Sequence, residues 1–349
     1  MGVGVLMNIS PFNGLKCLAQ ADQINKILEG EIPYPTCAQI DVTNICNHHC
    51  VWCFYQSFKD RETVQMPTKK VLSLIDELHS LGVKSILFTG GGEPLMHPDI
   101  CKILRYAKKL DFKIGMSTNG GMLGDVEIQN TILECNTYLR VSLDAGTDKV
   151  HSKLHGVPLG SYSKILSNIK SMNERRTTDI TIGYAFLIGN ENYFDIDSAV
   201  WNAVSNGFDY IQFRPIIGSE ISNEARAVAD YKIKEMKGLY FDFNILGTVD
   251  RFVETKTNDK CFTKCRATPL ITIIGADQKV YLCCQWRGNL KYVVGDISNK
   301  SFKEVWDSEH HRKLVESIDV KKCYPCKYKN YNIVIEEVFV KNKMHVDFL

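Results

Sequence analysis

Two hydrophobic periods alternate along the first two-thirds of the chain. Short apolar runs typical of buried strands are separated by segments whose apolar residues recur every three to four positions, as in amphipathic helices. The pattern predicts strands at 38–42, 84–89, 113–118, 138–144, 180–187 and 209–215. It predicts helices from about 69, from 98, and at 126–133, 162–172 and 197–203. Such an order favours a parallel sheet with right-handed crossovers, either doubly wound or partly closed as a barrel.

The last third of the chain has a different pattern. A polar helical stretch at 219–236 and a segment at 241–249 precede a hairpin signal, in which apolar runs at 270–274 and 280–283 flank a turn. Cysteines on this hairpin, followed by a distant Cys-x-x-Cys pair, are typical of a metal site. Residues 330–349 give no functional interpretation.

Composition narrows the class of protein. The 349 residues are 44% apolar, enough for a substantial core, and the length suggests a large domain plus a smaller one. A net charge of +2 with 23% charged residues argues against nucleic-acid binding and against disorder. No run approaches the roughly 20 apolar residues of a membrane span, and the first residues do not resemble a secretory signal. We therefore expect a cytoplasmic location and read the 13 cysteines as reduced metal ligands.

The densest chemical signal is the run CNHHCVWC, which directly follows the first predicted strand. Its thiols, Cys46, Cys50 and Cys53, can hold three irons of a cubane cluster and leave the fourth iron open to a ligand. Zinc is the alternative, since His48 and His49 lie between the thiols and imidazole is a common zinc ligand.

Polar and glycine-rich runs follow the next three predicted strands. Because strand ends of a parallel sheet meet at one edge, these runs would lie near the cysteine loop. The glycines allow close backbone approach to a ligand, and the carboxylate suits an ammonium group, although each run alone also fits a plain turn. The residues concerned are Gly91, Gly92, Glu93, Ser117, Asn119, Ser142 and Asp144.

Together these motifs resemble the radical S-adenosylmethionine (radical SAM) enzymes. The likeness covers about residues 37–217 and implies a six-unit partial (βα) barrel holding a [4Fe-4S] cluster. In that family the open iron chelates S-adenosylmethionine, which is cleaved to a 5′-deoxyadenosyl radical that abstracts hydrogen from a substrate. The resemblance implies that Gly91, Gly92 and Glu93 meet the methionine amino group. It also implies cofactor contacts by Ser117 and Asn119 at the ribose, by Ser142 at the carboxylate, and by the aromatic residues Trp52 and Phe54.

The later cysteines resemble the twitch domain, a shorter relative of the SPASM domain. This implies one auxiliary [4Fe-4S] cluster held by Cys265, Cys283, Cys323 and Cys326. Cys261 or Cys284 could replace a neighbouring ligand, and a four-cysteine zinc ribbon is the alternative.

The resulting expectation is an α/β protein: a partial (βα)6 TIM-like barrel followed by a small α+β iron–sulfur domain of hairpin plus helix. The domain boundaries follow from the motifs. We expect a lead segment at 1–36, the barrel at 37–217, a linker at 218–259, the auxiliary-cluster domain at 260–330 and a tail at 331–349.

The resemblance to the aminocyclitol alcohol dehydrogenase of antibiotic biosynthesis implies oxidation of an alcohol, with the auxiliary cluster accepting the electron. We expect a small polar substrate such as a sugar or cyclitol, a reducing partner such as flavodoxin or ferredoxin, and neither nucleic acid nor membrane as a partner. Asp144, Tyr184 and Arg214 are the candidate catalytic residues, although Tyr184 could fill the barrel and Arg214 could form an ion pair. A peptide maturase, an epimerase and a non-enzymatic double-zinc protein are the alternatives.

Overall fold

The computed structural model describes residues 13–55, 62–216, 220–247, 262–323 and 326–341. One ten-stranded sheet organises this part of the chain, in the order β10-β9-β8-β1-β2-β3-β4-β5-β6-β7. Neighbouring strands from β1 to β7 pair in parallel, β8 adds to β1 in parallel, and β8, β9 and β10 form an antiparallel meander. The strands are β1 (Cys37–Ile40), β2 (Ser85–Phe88), β3 (Lys113–Thr118), β4 (Tyr138–Ser142), β5 (Thr181–Ile188), β6 (Tyr210–Pro215), β7 (Asn244–Leu246), β8 (Ile271–Ile274), β9 (Lys279–Tyr281) and β10 (Val293–Asp296).

Eleven α-helices lie in the described residues: seven connect the parallel strands between β1 and β7, one precedes β1 and three follow β10. They are α1 (Ala21–Leu28), α2 (Thr68–Ser80), α3 (Ile100–Lys109), α4 (Val126–Cys135), α5 (Asp148–His155), α6 (Ser161–Arg175), α7 (Ile196–Ser205), α8 (Asn223–Leu239), α9 (Phe302–Trp306), α10 (Glu309–Glu316) and α11 (Lys329–Ile335). Within the described ranges, no helix is long and apolar enough to cross a membrane.

Strand alternation gives the sheet two different faces. In β4, Leu139 and Val141 are fully buried and belong to the main core, which fills the space between sheet and helices. Arg140 and Ser142 point to the opposite side and remain partly exposed. We call this opposite side the interior face; in β4 it is defined by Tyr138, Arg140 and Ser142.

The expected α/β fold with a small C-terminal iron–sulfur domain is confirmed, and the six predicted strand–helix units are present. The 218–259 segment, expected as a linker, contains helix α8 and strand β7, which extends the parallel sheet. Helix α5 was not predicted because, in its eight residues, Val150 and Leu154 are the only large apolar side chains that are buried. The domain boundaries stay predictions. Cys261 and the segment 342–349 lie outside the described residues.

Candidate active site

The cysteine loop leaves β1 and is held by the C-terminal end of α5. The backbone N–H of His49 donates to the His155 carbonyl (2.8 Å), and that of Val51 donates to the Leu154 carbonyl (2.9 Å). Gly156 ends α5 in the left-handed region (φ +62°), where a Cβ atom would lie 2.8 Å from the His49 carbonyl oxygen. These contacts use helix-end carbonyls that would otherwise lack donors, and they fix the loop's backbone.

Polar donors surround the sulfurs of this loop. The Cys46 sulfur lies 3.5 Å from the backbone nitrogen of His48 and 3.7 Å from Nδ2 of Asn119. The Cys50 sulfur lies 3.4 Å from Nδ1 of His155. Burial raises the pKa of Cys46, the His48 N–H lowers it, and the nearby Glu93, Cys50 and Cys53 raise it again. Crowded thiolates therefore need a positive partner, and a cluster iron supplies one, so these residues fit a three-cysteine [4Fe-4S] cluster.

A buried histidine group stands behind the cysteine loop, and sequence reasoning missed it. The His151 and His155 rings stack at 4.2 Å, and Nδ1 of His48 lies 3.2 Å from Nδ1 of His155. Donor atoms of His48, Cys50 and His155 all lie within 4.8 Å of one another. The spacing of four between His151 and His155 on a helix was the available signal. Burial lowers the pKa of His151 to about 2, with further lowering by His155 and His48.

The glycine-rich loop after β2 packs directly on the cysteine loop. A Cβ atom at Gly92 would lie 2.3 Å from the Ile45 carbonyl oxygen, so only glycine fits there. The Glu93 N–H donates to that same carbonyl (2.8 Å). The Glu93 carboxylate is 2% exposed and accepts from Thr118 Oγ1 (2.7 Å), from the Asn119 N–H (2.7 Å) and from the Leu95 N–H. Burial raises the pKa of Glu93 to about 7, although these three donors lower it.

The other predicted cofactor contacts occupy the same region. Asn119 donates from Nδ2 to Oδ1 of Asn47 (2.7 Å), so its amide braces the cysteine loop. Ser117 and Ser142 lie on the interior face and are partly exposed, as side chains that meet a ligand must be. Trp52 packs against the small cluster around Ala145, whereas Phe54 is 45% exposed. The cofactor roles of these residues stay predictions.

The three candidate catalytic residues have different surroundings. Asp144, in the left-handed region (φ +52°), accepts from the Leu187 N–H (2.7 Å) and lies 3.3 Å from Nε2 of His155. Tyr184 is fully buried on the core side, with its hydroxyl 2.8 Å from that of Tyr162, which favours packing over catalysis. Arg214 lies on the interior face near the end of β6 and is partly exposed.

The auxiliary cysteines also lie close to one another. Burial raises the pKa of Cys326 to about 12, and Cys265, Cys284 and Cys323 raise it as well. A side-chain hydrogen bond with Cys284 is the main cause that raises the pKa of Cys283, ahead of burial, and Cys265 adds to it. Five sulfurs thus share one region, in which a hydrogen bond with Cys283 and the charges of Lys327 and Arg287 lower the pKa of Cys284, and this grouping fits a cluster held by four cysteines. The choice between Cys283 and Cys284 stays open.

Side chains from α11 brace the first auxiliary cysteine. Asn332 accepts at Oδ1 from the Arg266 N–H (2.7 Å), and its Nδ2 lies 3.8 Å from the Cys265 sulfur. Arg266 forms an ion pair with the buried Glu336. The C-terminal helix therefore supports this cluster site.

A buried ion pair connects the two cysteine regions. Nε of Arg287, three residues after Cys284, lies 2.9 Å from Oδ2 of Asp41, at the end of β1. The side chains are 5% and 3% exposed. Arg287 also contacts the Tyr55 hydroxyl and Gln39 (3.4 Å). Burial raises the pKa of Asp41 to about 7, partly offset by Arg287 and by a hydrogen bond from the Gly91 backbone.

Comparison with known proteins identifies this arrangement. Residues 40–200 match the model of the radical SAM superfamily, and residues 265–328 match that of the SPASM iron–sulfur cluster-binding domain. The chain belongs to the radical SAM enzymes. Within them, it belongs to the group that carries a C-terminal SPASM domain.

Similar proteins span most of the chain. The AdoMet-dependent heme synthase of Methanosarcina barkeri is 24% identical over 315 residues, covering 83% of this chain and 87% of the relative. The mycofactocin maturase MftC of Mycobacterium ulcerans is 23% identical over 301 residues, covering 84% and 80%. The structure of Streptococcus suis SuiB bound to S-adenosylmethionine has a TM-score of 0.65 at 18% identity, covering 86% and 73%.

Family membership confirms the expected cofactors: S-adenosylmethionine, the [4Fe-4S] cluster of the barrel and auxiliary iron–sulfur binding by the SPASM domain. The number of auxiliary clusters, predicted as one, and the individual ligands stay predictions.

Proposed function

We propose that this enzyme oxidises a small polar substrate, with a sugar or cyclitol alcohol as the reacting group. One observation carries the proposal: the auxiliary-cluster segment reaches the interior face of the barrel. Tyr328, two residues after Cys326, accepts a hydrogen bond from Nε2 of Gln39 on β1 (2.8 Å). A substrate on the interior face would therefore lie between the two cysteine regions.

The protein's own residues have three tasks in this proposal. Cys46, Cys50 and Cys53 would hold the barrel cluster, while the loop of Gly91 and Gly92 would approach the methionine amino group. The sheet itself, covered by helices on its other face, and the auxiliary segment would exclude water from the interior face. When bound, the cofactors supply a 5′-deoxyadenosyl radical from S-adenosylmethionine and an acceptor for the substrate's electron. A partner such as flavodoxin or ferredoxin would supply the reducing electron.

Stoichiometry tests the proposal. The anaerobically reconstituted enzyme should contain roughly eight irons and eight sulfides per chain, the content of two cubane clusters. When a panel of polyols deuterated at carbon is tested, deuterium should enter 5′-deoxyadenosine. One molecule of carbonyl product should form for each molecule of 5′-deoxyadenosine. Deuterium uptake from D2O into unoxidised substrate would instead identify an epimerase. Zinc in place of iron would refute the proposal entirely.

Cysteine variants assign the two clusters. Cys46→Ala should abolish 5′-deoxyadenosine formation, since it removes a ligand of the radical-generating cluster. Cys323→Ala should leave slow cleavage that yields no carbonyl product. Cys101→Ala, in helix α3 away from both regions, is the control. Full product formation by Cys323→Ala would contradict a required auxiliary cluster.

Peptide maturation is the second candidate. It is favoured by the similarity to mycofactocin maturase MftC and by the fold shared with SuiB, which has also been solved with its precursor peptide SuiA. Under this alternative, deuterium would enter 5′-deoxyadenosine from a labelled peptide, and the peptide would lose two hydrogens.

A further inference from the structure

A buried histidine on helix α5 lies against one of the predicted cluster ligands. Nδ1 of His155 is 3.4 Å from the Cys50 sulfur, within hydrogen-bond distance. A cysteine bound to iron is a thiolate, which accepts a hydrogen bond and has no proton to donate. With Cys50 as a cluster ligand, the proton of this contact therefore belongs to Nδ1 of His155.

The other ring nitrogen of His155 faces a carboxylate. Its Nε2 atom lies 3.3 Å from Oδ2 of Asp144, and the two side chains are 2% and 11% exposed. An ionised carboxylate has no proton to donate either, so a proton on Nε2 is favoured as well. A thiolate on one side and a carboxylate on the other thus favour the doubly protonated, positively charged ring.

The ends of β4 and β5 fix Asp144. Its backbone lies in the left-handed region (φ +52°), and its Oδ1 atom accepts from the Leu187 N–H (2.7 Å). The Asp144 carbonyl accepts from Nδ2 of the buried Asn192 (2.7 Å), whose own Oδ1 accepts from the Gly189 N–H (2.9 Å). The carboxylate is therefore held toward His155, and it orients the ring.

Two further histidines hold the His155 ring in place. His151 stacks on it at 4.2 Å with the ring planes 4° apart, and His48 meets it edge-on at 5.4 Å. Nδ1 of His48 lies 3.2 Å from Nδ1 of His155, so the His155 proton is also within reach of that nitrogen. Because the end of α5 binds the backbone of the cysteine loop, the ring and the sulfur stay together.

We propose that His155, positioned by Asp144, hydrogen-bonds to the Cys50 thiolate and raises the reduction potential of the barrel cluster. One electron from the reducing partner makes the cluster and its sulfurs more negative. A positively charged donor beside a ligand sulfur stabilises that reduced state more than the oxidised state. His155 would thereby set the potential at which the electron enters. This role concerns radical generation and is independent of the substrate.

The potential can be measured without turnover, by an EPR-monitored potentiometric titration of the anaerobically reconstituted holoenzyme. The barrel cluster gives the signal that changes when S-adenosylmethionine is added and that Cys46→Ala lacks. His155→Phe should make reduction of this cluster about tenfold less favourable, a downward shift of about 59 mV for one electron. The signal of the auxiliary cluster should keep its potential and is the internal reference.

Two variants separate the hydrogen bond from packing. His155→Asn keeps a neutral donor near the position of Nδ1 and should show about half the shift, since charge-assisted hydrogen bonds are roughly twice as strong as neutral ones. His151→Phe keeps a ring stacked on His155. Neither ring nitrogen of His151 has a hydrogen-bond partner among the described residues, so this control should have the wild-type potential.

A wild-type potential in His155→Phe would overturn the proposal. An equal shift in His151→Phe would do the same, because packing of the rings would then explain the effect. If His155→Phe loses the barrel cluster, the test passes to His155→Asn, and a wild-type potential in that variant overturns the proposal instead.

The role of Asp144 is tested in two backgrounds. Asp144→Asn preserves the backbone, since asparagine tolerates the left-handed region. It should change the potential of the otherwise wild-type enzyme and leave that of His155→Phe unchanged, because Asp144 acts through the ring. Equal changes in both backgrounds would mean that the Asp144 charge acts directly on the cluster, and would overturn its positioning role.

Discussion

The ion pair between Asp41 and Arg287 gives the sharpest quantitative prediction. Replacing Arg287 by methionine keeps much of its volume but leaves the Asp41 carboxylate, 3% exposed, without its cation. Removing one partner of a buried pair costs about 3–5 kcal/mol when the remaining charge stays ionised and desolvated, so the stability is measured above the Asp41 pKa of about 7. We therefore expect Arg287→Met to lower the free energy of unfolding by that amount.

The double-mutant cycle isolates the pair. Asp41→Asn alone should also destabilise the protein, and Asp41→Asn combined with Arg287→Met should cost about 1–3 kcal/mol less than the sum of the single changes. Lys279→Met, which removes the more exposed ion pair with Asp277 (3.5 Å), should cost under about 1 kcal/mol.

The assay is anaerobic urea unfolding followed by tryptophan fluorescence, with reversibility checked by refolding. A cost below about 1 kcal/mol for Arg287→Met, or additive single changes, would refute the reasoning, because either result means that the pair is not coupled in the folded state.

Two further variants probe the cysteine loop's supports. Gly92→Ala should destabilise the protein by about 1–3 kcal/mol and weaken S-adenosylmethionine binding, because its Cβ atom would meet the Ile45 carbonyl at 2.3 Å. Gly91→Ala is the control: its Cβ atom would have no contact under 3.7 Å, so it should unfold like the wild type. Equal stability of the two variants would contradict the steric argument. The pKa of His151 is about 2 in the folded protein and about 6.5 when unfolded, so stability present above pH 6.5 is lost as the pH falls. His151→Phe should therefore remove about 1.4 kcal/mol of the stability loss between pH 7.5 and 5.5. The exposed His79→Phe is the control, and an unchanged pH slope in His151→Phe would count against a buried neutral imidazole.

Local patterns in the sequence predicted strands β1 to β6, the hairpin of β8 and β9, and both cysteine regions, because period and spacing are short-range properties; β7 and β10 were not predicted as strands. The contacts that organise the site are long-range. Asn119, predicted at the cofactor ribose, also donates from its amide to Asn47, because β3 ends beside the cysteine loop, and the sequence pattern did not indicate this contact. The stacking of His151 on His155 fits their spacing of four on α5, but that helix was not predicted, and their approach to His48 depends on how α5 docks, which periodicity does not encode.

The link between the two cofactor regions is also a long-range contact that sequence periodicity does not encode. This link affects how variants of either region must be interpreted. Asp41 accepts from the Gly91 backbone, in the loop expected at the methionine amino group, and pairs with Arg287, three residues after Cys284. Gly91, Asp41 and Arg287 therefore form one continuous set of contacts from the S-adenosylmethionine loop to the auxiliary cysteines. A cysteine substitution that frees the chain around Arg287 would also loosen the Gly91 loop. Reduced turnover in such a variant is evidence about electron acceptance only if its S-adenosylmethionine affinity is unchanged.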